Sequence, residues 1–175
     1  ACFAIAIFAS IGAAMAQNMM TLFVFYEVLT FSTYPLVTHK GTPEAKQAGR
    51  IYLGILVTSS VVFLLFGVIS VWLLAGTLDF ASGGILADRM DPAYVPLLLG
   101  LFAFGIGKAA LMPLHRWLPA AMVAPTPVSA LLHAVAVVKA GVFSMLKISI
   151  YIFGVDFLAT TSASDWLVWV AAFSI

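Results

Sequence analysis

The sequence is poor in charge and rich in apolar residues. Charged residues make up 9% of its 175 residues, the formal net charge is +1, and 63% of the residues are hydrophobic. Soluble domains carry about 25% charged residues, so this composition predicts an integral membrane protein in a lipid bilayer. The sequence has no basic patch to contact phosphates, which argues against a nucleic-acid partner.

Cysteine and the common cofactor motifs are also scarce. The single cysteine, Cys2, excludes a disulfide framework, a four-thiolate zinc site and an iron–sulfur cluster held by this chain alone. Neither a G-x-G-x-x-G fingerprint nor a P-loop is present. We therefore expect the chain to hold no cofactor and no metal.

The long hydrophobic runs predict the fold class. A membrane-spanning helix needs about 20 predominantly apolar residues, so the chain has room for five or six, as an all-α, polytopic transmembrane helix bundle. The predicted spans cover residues 1–17, 19–37, 51–74, 93–122, 127–153 and 166–175. We interpret 38–50, 76–92 and 154–165 as loops, with a helix start at Thr42 and Pro43. Because the chain opens and stops inside apolar runs, we expect it to be a fragment of one larger transmembrane domain.

The fourth predicted span contains residues that interrupt helices. Residues 93–122 are too many for one straight span, and Gly105, Gly107 and Pro113 lie within them. We therefore predict a discontinuous helix. A break at membrane depth frees backbone groups that protein or water must satisfy, and transporters use such breaks to line hydrated cavities.

Four ionisable residues lie inside predicted spans, namely Glu27, Lys108, His133 and Lys139. A charge near the bilayer centre costs about 2.5–3.5 kcal/mol, so these residues are candidates for a proton relay. His133 and Lys139 are separated by about 9 Å along a helix and about 120° around it, as successive stations of a path would be. The alternative is a structural salt bridge between Glu27 and Lys108, which leaves His133 and Lys139 without an acidic partner.

The remaining basic residues are assigned to the membrane surfaces. Lys147 lies near the end of its helix, where its ammonium is expected to reach the interface. His39, His115 and Arg116 are expected in loops or interfaces. Lys and Arg are more frequent in 38–50 and in the 113–126 elbow than on the other side, which predicts that this side faces the cytoplasm or its equivalent.

Three motifs carry a resemblance to a known family. They are FVFYE from Phe23 to Glu27, GKAALMPLHRWLP from Gly107 to Pro119, and APTPVSALLH from Ala124 to His133. In these motifs the chain resembles the antiporter-like, proton-translocating membrane subunits of respiratory complex I. It is equally similar to the large subunits of multi-subunit sodium/proton antiporters and to membrane-bound hydrogenase subunits. The resemblance covers residues 1 to about 153.

The resemblance implies a fold, a set of roles and a set of partners. The family's fold has about fourteen helices in two inverted repeats, each with one broken helix, and this chain would be the first repeat and the start of the second. Glu27 would pair with and tune Lys108, while His133 and Lys139 would be relay positions. The implied partners are other membrane subunits and protons, in a bacterial inner membrane or an equivalent energy-transducing membrane. One departure is Thr58–Ser60, where the distal complex I subunit type carries an Arg and an Asp.

Two functional hypotheses follow, and they use the same residues. The first is a proton-translocating subunit of a redox-driven complex such as NADH:quinone oxidoreductase, with the redox chemistry belonging to the whole complex. The alternative is a sodium/proton antiporter subunit of a multi-subunit exchanger without redox chemistry. A third interpretation, a passive membrane scaffold, predicts that Lys108 and His133 tolerate apolar replacement. Neighbouring genes would separate the first two.

Overall fold

The computed structural model describes residues 1–87, 89–161 and 165–174. One residue of the predicted 76–92 loop, three residues of the predicted 154–165 loop and the last residue of the predicted 166–175 span therefore lie outside the described residues. Throughout the described part, the chain forms helices joined by turns, with an isolated β-bridge between Asn18 and Asp79. This confirms the predicted all-helical class.

Eight α-helical segments follow one another along the described chain. They are α1 (Cys2–Met15), α2 (Met19–Val37), α3 (Pro43–Ala75), α4 (Pro92–Gly105), α5 (Trp117–Ala120), α6 (Thr126–Phe153), α7 (Val155–Thr161) and α8 (Asp165–Ser174). Of these, α3 contains one π-helical turn and α6 contains two.

Small residues allow α1 to pack closely on α2. Ala6, Ala9 and Ala13 are buried along one side of α1. A Cβ on Gly12 would lie 2.5 Å from the ring of Phe25 on α2, so only glycine fits there without moving that ring. Small residues at helix interfaces let backbones approach when lipid supplies no hydrophobic drive. The pair therefore forms one flank of the bundle.

The third helix begins earlier than its apolar run. The hydroxyl of Thr42 accepts a hydrogen bond from the backbone N–H of Ala45 at 3.2 Å, and Pro43 is the first helical residue. The cap agrees with the predicted helix start, but residues 43–50 are helical rather than a loop. Ala48 and Gly49 turn inward there, and a Cβ on Gly49 would lie 2.3 Å from the methyl group of Thr38. A polar outer face on two helical turns explains why hydropathy alone places them in a loop.

The fourth helix is interrupted. α4 ends at Gly105, a 3₁₀ turn covers Gly107–Ala109, and Ala110 has the left-handed φ of 56°. A second 3₁₀ turn at Leu114–Arg116 precedes the short helix α5. The backbone therefore leaves helical geometry immediately around Lys108.

The loop after α3 packs on the end of α6. The N–H groups of Ile85 and Leu86 donate to the carbonyl of Ile152 at 2.9 and 3.1 Å. Gly84 has a φ of +88°, and a Cβ there would lie 2.4 Å from the carbonyl oxygen of Phe153. The α6 carbonyls that lack a helical partner are thus covered by this loop.

The predicted 154–165 loop contains a helix. α7 begins directly after Gly154, which has a φ of +87°. Phe157 and Leu158 pack against the buried cluster that includes Phe102 and Phe153, so burial favours a helical turn where the sequence lacks a long apolar run. The loop assignment was wrong for residues 155–161.

The exterior of the bundle is apolar. Three described helices are long and apolar enough to cross a membrane, namely α2, α3 and α6, and α1, α4 and α8 are shorter apolar helices. Large apolar side chains face outward on several of them, including Phe8, Phe31, Phe66, Leu73 and Leu97. Such a surface suits lipid and neighbouring membrane helices.

Candidate functional site

Lys108 lies at the centre of the bundle, on the break after α4. Its side chain is fully buried, with 0% exposure. A Cβ on Gly105 would lie 2.4 Å from the backbone nitrogen of Leu64 in the π-helical turn of α3. A Cβ on Gly141 of α6 would lie 2.5 Å from the backbone nitrogen of Ala109. Glycine on both sides therefore lets the break fit between α3 and α6.

The ammonium group of Lys108 is bound by α2. Its Nζ donates to the carbonyl oxygen of Tyr26 at 2.9 Å and to the Thr30 hydroxyl at 2.5 Å. It also lies 3.1 Å from the centroid of the Tyr26 ring. Tyr26 and Thr30 are four residues apart, so they lie on the same face of α2, which is the face that meets the break. The contacts of the Lys108 ammonium with α2 are thus two neutral oxygen atoms and an aromatic ring.

The backbone of the break is held by two aromatic side chains. The N–H of Lys108 donates to the Tyr26 hydroxyl at 3.1 Å, and the indole N–H of Trp117 donates to the carbonyl of Gly107 at 2.9 Å. Unpaired backbone groups at membrane depth are costly, and these two bonds satisfy groups that the break releases. These two contacts supply hydrogen bonds that the interrupted helix cannot make.

Trp117 is itself fixed by α3. Its ring packs edge-on against Tyr52, with ring centroids 5.5 Å apart. The Tyr52 hydroxyl lies 2.6 Å from the hydroxyl of Thr33 on α2. Tyr52, Thr33 and Trp117 are fully buried. A continuous set of contacts therefore runs from α2 through α3 to the carbonyl beside Lys108.

Glu27 does not pair with Lys108 in this structure. Its side chain is half-buried, and its Oε1 atom is buried without a hydrogen-bond partner among the described residues. Glu27 follows Tyr26 directly and precedes Thr30 by three residues, so it lies about 100° around α2 from Tyr26 and about 60° from Thr30, at the edge of the face that meets the break. The pair that the sequence resemblance implies is replaced here by the contacts of Lys108 with Tyr26 and Thr30.

His133 lies on the π-helical turn of α6 that covers Leu131–Val135. Its side chain is half-buried, and its buried Nε2 atom has no hydrogen-bond partner in the part of the chain that the structure describes. His133 precedes Gly141, the residue of α6 beside Lys108, by eight positions, which is about 12 Å along a helix. His133 therefore lies about two turns of α6 before the residue that contacts the break.

Lys139 lies on the other side of α6. It precedes Gly141 by two positions, which places it at similar depth but about 200° around the helix. Its side chain is exposed and lines a groove of about 160 Å³ with Ser10 and Ala13 of α1. The structure therefore does not bring Lys139 and Lys108 together, because the backbone of α6 lies between them.

The other basic residues serve different purposes. Lys147 donates to the carbonyls of Ala14 and Ala16 at the end of α1, and its Nζ lies 4.6 Å from the centroid of the Phe80 ring. His39 and Arg116 are exposed. His115 is half-buried, and its Nδ1 atom has no hydrogen-bond partner within residues 1–87, 89–161 and 165–174.

Sequence reasoning missed the residues that hold Lys108. Tyr26 belongs to the FVFYE motif, but only Glu27 in that motif is charged, and charge was the criterion for a candidate site residue. Thr30 could have been identified from the sequence, because it shares a helical face with Tyr26 and Thr33 in an otherwise apolar span. Trp117 lies in the GKAALMPLHRWLP motif, but its hydrogen bond reaches back ten residues and has no local signature.

Comparisons with known proteins relate the chain to one group of membrane proteins. A family model described as NADH:quinone oxidoreductase/Mrp antiporter, TM matches residues 16–175. Among curated proteins, antiporter subunit mnhA2 of Staphylococcus epidermidis is 33% identical over 162 residues, covering 86% of this chain and 20% of that protein. The mnhA2 protein of Staphylococcus saprophyticus is 31% identical over 160 residues, with the same coverage. The chain thus spans about a fifth of the length of the curated relatives it matches.

A solved structure shows the same fold. A chain in the structure of the Mrp complex from Dietzia sp. DQ12-45-1b matches with a TM-score of 0.78 and 31% sequence identity. The match covers 91% of this chain and 18% of that chain. The bundle described above is therefore a fold already seen inside a larger membrane subunit.

Proposed function

Because the chain belongs to the NADH:quinone oxidoreductase/Mrp antiporter transmembrane family, we propose that it is part of the proton-conducting membrane subunit of a multi-subunit cation/proton antiporter. In this proposal protons pass by way of Glu27, Lys108, His133 and Lys139 in exchange for sodium. The subunit acts with other membrane subunits in a bacterial cell membrane. The mnhA2 relatives and the Mrp complex support the exchanger over the redox-driven alternative.

The observation that carries the proposal is the surroundings of Lys108. A purely structural lysine at this depth would be expected to pair with the available acid, since charges in membranes tend to pair. Instead, Lys108 binds Tyr26 and Thr30, and a carboxylate oxygen of Glu27 is buried without a partner. In the proposal Lys108 alternates between a neutral and an acidic set of partners, and the contacts with Tyr26 and Thr30 are the neutral set.

Changing between these sets is large enough to drive proton transfer. Two unit charges 4 Å apart attract by about 4 kcal/mol at an effective dielectric constant near 20. Making and breaking the contact with Glu27 changes the free energy of the proton on Lys108 by that order. For comparison, moving one charge across 100 mV involves about 2.3 kcal/mol. The contact is therefore a suitable switch for loading a proton and releasing it.

The test uses the full-length protein with its partner subunits in everted membrane vesicles from cells that lack other antiporters. A pH gradient is formed by ATP hydrolysis, and sodium is then added. We expect sodium to dissipate the gradient with the wild type and not with Lys108→Ala at equal assembly. A gradient that is insensitive to sodium, with proton pumping on NADH and quinone instead, would replace the antiporter by the redox-driven alternative.

The scaffold interpretation makes the opposite prediction for the same variants. Lys108→Ala and His133→Leu would then keep full activity in an assembled complex. The neighbouring genes give an independent check, because small antiporter subunits accompany an exchanger, whereas flavoprotein and iron–sulfur subunits accompany a redox complex.

A further inference from the structure

Among the described residues, Thr30 contacts Lys108 more closely than any acidic side chain does. The Lys108 Nζ lies 2.5 Å from the Thr30 hydroxyl oxygen, and that hydroxyl lies 3.2 Å from the carbonyl oxygen of Tyr26. Thr30 is fully buried, with 0% exposure. Its hydroxyl therefore has two neighbours, the ammonium of Lys108 and a backbone carbonyl.

The three groups around the Lys108 Nζ differ in what they can bind. The Tyr26 carbonyl is only an acceptor, and the face of the Tyr26 ring attracts only a cation. A hydroxyl both accepts and donates, so it can accept from an ammonium or donate to the lone pair of a neutral amine. Of the hydrogen-bond partners of this Nζ, Thr30 alone can also donate to the lone pair of a neutral amine, whereas the Tyr26 carbonyl can only accept an N–H.

We propose that Thr30 is a positioning residue for the state in which Lys108 has left Glu27, and that its hydroxyl then binds the Lys108 amine both before and after the proton leaves. The Tyr26 carbonyl accepts the Thr30 hydroxyl hydrogen when Lys108 is charged. The same hydrogen turns to the amine nitrogen when Lys108 is neutral. This inference rests on the proposed function, since it assumes that Lys108 exchanges a proton during transport.

Few other ionisable groups face this site. From α2 they are Tyr26 and Glu27, and from α3 the nearest is Tyr52, which is bound to Thr33. On α6 the residue facing the break is Gly141, which has no side chain to titrate. A change at Thr30 in the pH dependence of transport can therefore be traced to the contacts of Lys108.

The experiment compares Thr30→Ala with Thr30→Ser in the full-length complex, because these two variants differ by one hydroxyl. Sodium-dependent dissipation of the pH gradient is measured in everted vesicles from pH 6 to pH 9, with assembly checked by native electrophoresis. Thr30→Val is included as the isosteric variant, and Thr58→Val, on an exposed position of α3, is the control.

We expect Thr30→Ala and Thr30→Val to lower the exchange rate about tenfold, which is the effect of losing one hydrogen bond to a charged group. The rising limb of their pH profile should move to lower pH, because the hydrogen bond that the ammonium loses is stronger than the one that the neutral amine loses. Thr30→Ser should return the rate to within about twofold of the wild type and restore the profile. Thr58→Val should match the wild type.

Two results would overturn the inference. The first is a wild-type rate and pH profile in Thr30→Ala. The second is equal impairment of Thr30→Ala and Thr30→Ser without a shift in the profile, which would mean that Thr30 only fills space. If Lys108→Ala itself retains full exchange, the proposed function fails rather than the role of Thr30 alone.

Discussion

Lys108 and Lys147 bind similar groups but in different places. Each ammonium contacts backbone carbonyl oxygen and an aromatic ring, Tyr26 for Lys108 and Phe80 for Lys147. The carbonyls that Lys147 binds belong to the end of α1, where they have no helical partner and a cation stabilises them. The carbonyl that Lys108 binds lies in the middle of α2. Lys147 therefore binds carbonyls that the end of a helix leaves unpaired, whereas Lys108 binds a carbonyl within a helix, which does not need a cation to satisfy it.

The second difference is what stands beside each lysine. Lys108 has a hydroxyl, Thr30, and a nearby carboxylate whose Oε1 atom is unpartnered. Lys147 has neither among its contacts with α1 and the Phe80 loop. We expect a lysine with alternative hydrogen-bond partners to change its contacts during transport, and a lysine without them to keep its contacts. The predictions below separate these two roles, from the largest expected effect to the smallest.

Glu27→Gln should have the largest effect, because it removes the acidic alternative partner of Lys108 while preserving size. We expect exchange to fall at least about tenfold in assembled complexes, given an attraction of about 4 kcal/mol at 4 Å. Glu27→Asp should be milder because it keeps the charge. Glu44→Gln, at an exposed position near the start of α3, is the matched control. Full exchange in Glu27→Gln would mean that this carboxylate is not part of the switch.

His133→Leu and Lys139→Met should each impair exchange about tenfold while the complex still assembles, since a missing relay station slows transfer rather than folding. The measurement is sodium-dependent gradient dissipation alongside native electrophoresis. His39→Leu, on an exposed loop position, is the control. Loss of the subunit from the membrane would instead assign His133 and Lys139 to structure.

Trp117→Phe should lower the stability of the complex more than it lowers the transport rate. The variant keeps the ring that packs on Tyr52 but leaves the carbonyl of Gly107 without its donor, a loss of about 1–3 kcal/mol. We expect a lower midpoint in thermal unfolding of the purified complex. An unchanged midpoint would show that water replaces the indole at the break.

Lys147→Met should have the smallest effect on transport. It removes the contacts with Ala14 and Ala16, which ought to loosen the end of α1 by about 1 kcal/mol because the site is partly exposed. Lys147→Arg should restore the contacts, and Lys46→Met at an exposed position controls for charge. A transport defect as large as that of Lys108→Ala would remove the distinction between the two lysines.

The break in the fourth helix and the ionisable residues near it could be predicted from the sequence, because Gly105, Gly107 and Pro113 are local signals and ionisable residues stand out in apolar spans. The partners of Lys108 could not be predicted. Tyr26 and Thr30 are about 80 residues away from Lys108 in the chain, and only packing brings them together. The inward-facing small residues that make the start of α3 helical and the burial that forms α7 are likewise tertiary effects. The opposite placement of Lys139 and Lys108 depends on which side of α6 meets the break, which spacing within α6 does not determine.

The central claim is that Lys108 exchanges between the neutral partners on α2 and the carboxylate of Glu27. The most direct measurement is a cryo-electron microscopy comparison of the full-length complex in lipid nanodiscs at two pH values, one on each side of the rising limb of its transport profile. We expect the Lys108 Nζ to contact Thr30 and Tyr26 in one condition and Glu27, at about 3 Å, in the other. Lys108 bound to Thr30 and Tyr26 at both pH values, with Glu27 remote in each, would contradict the account.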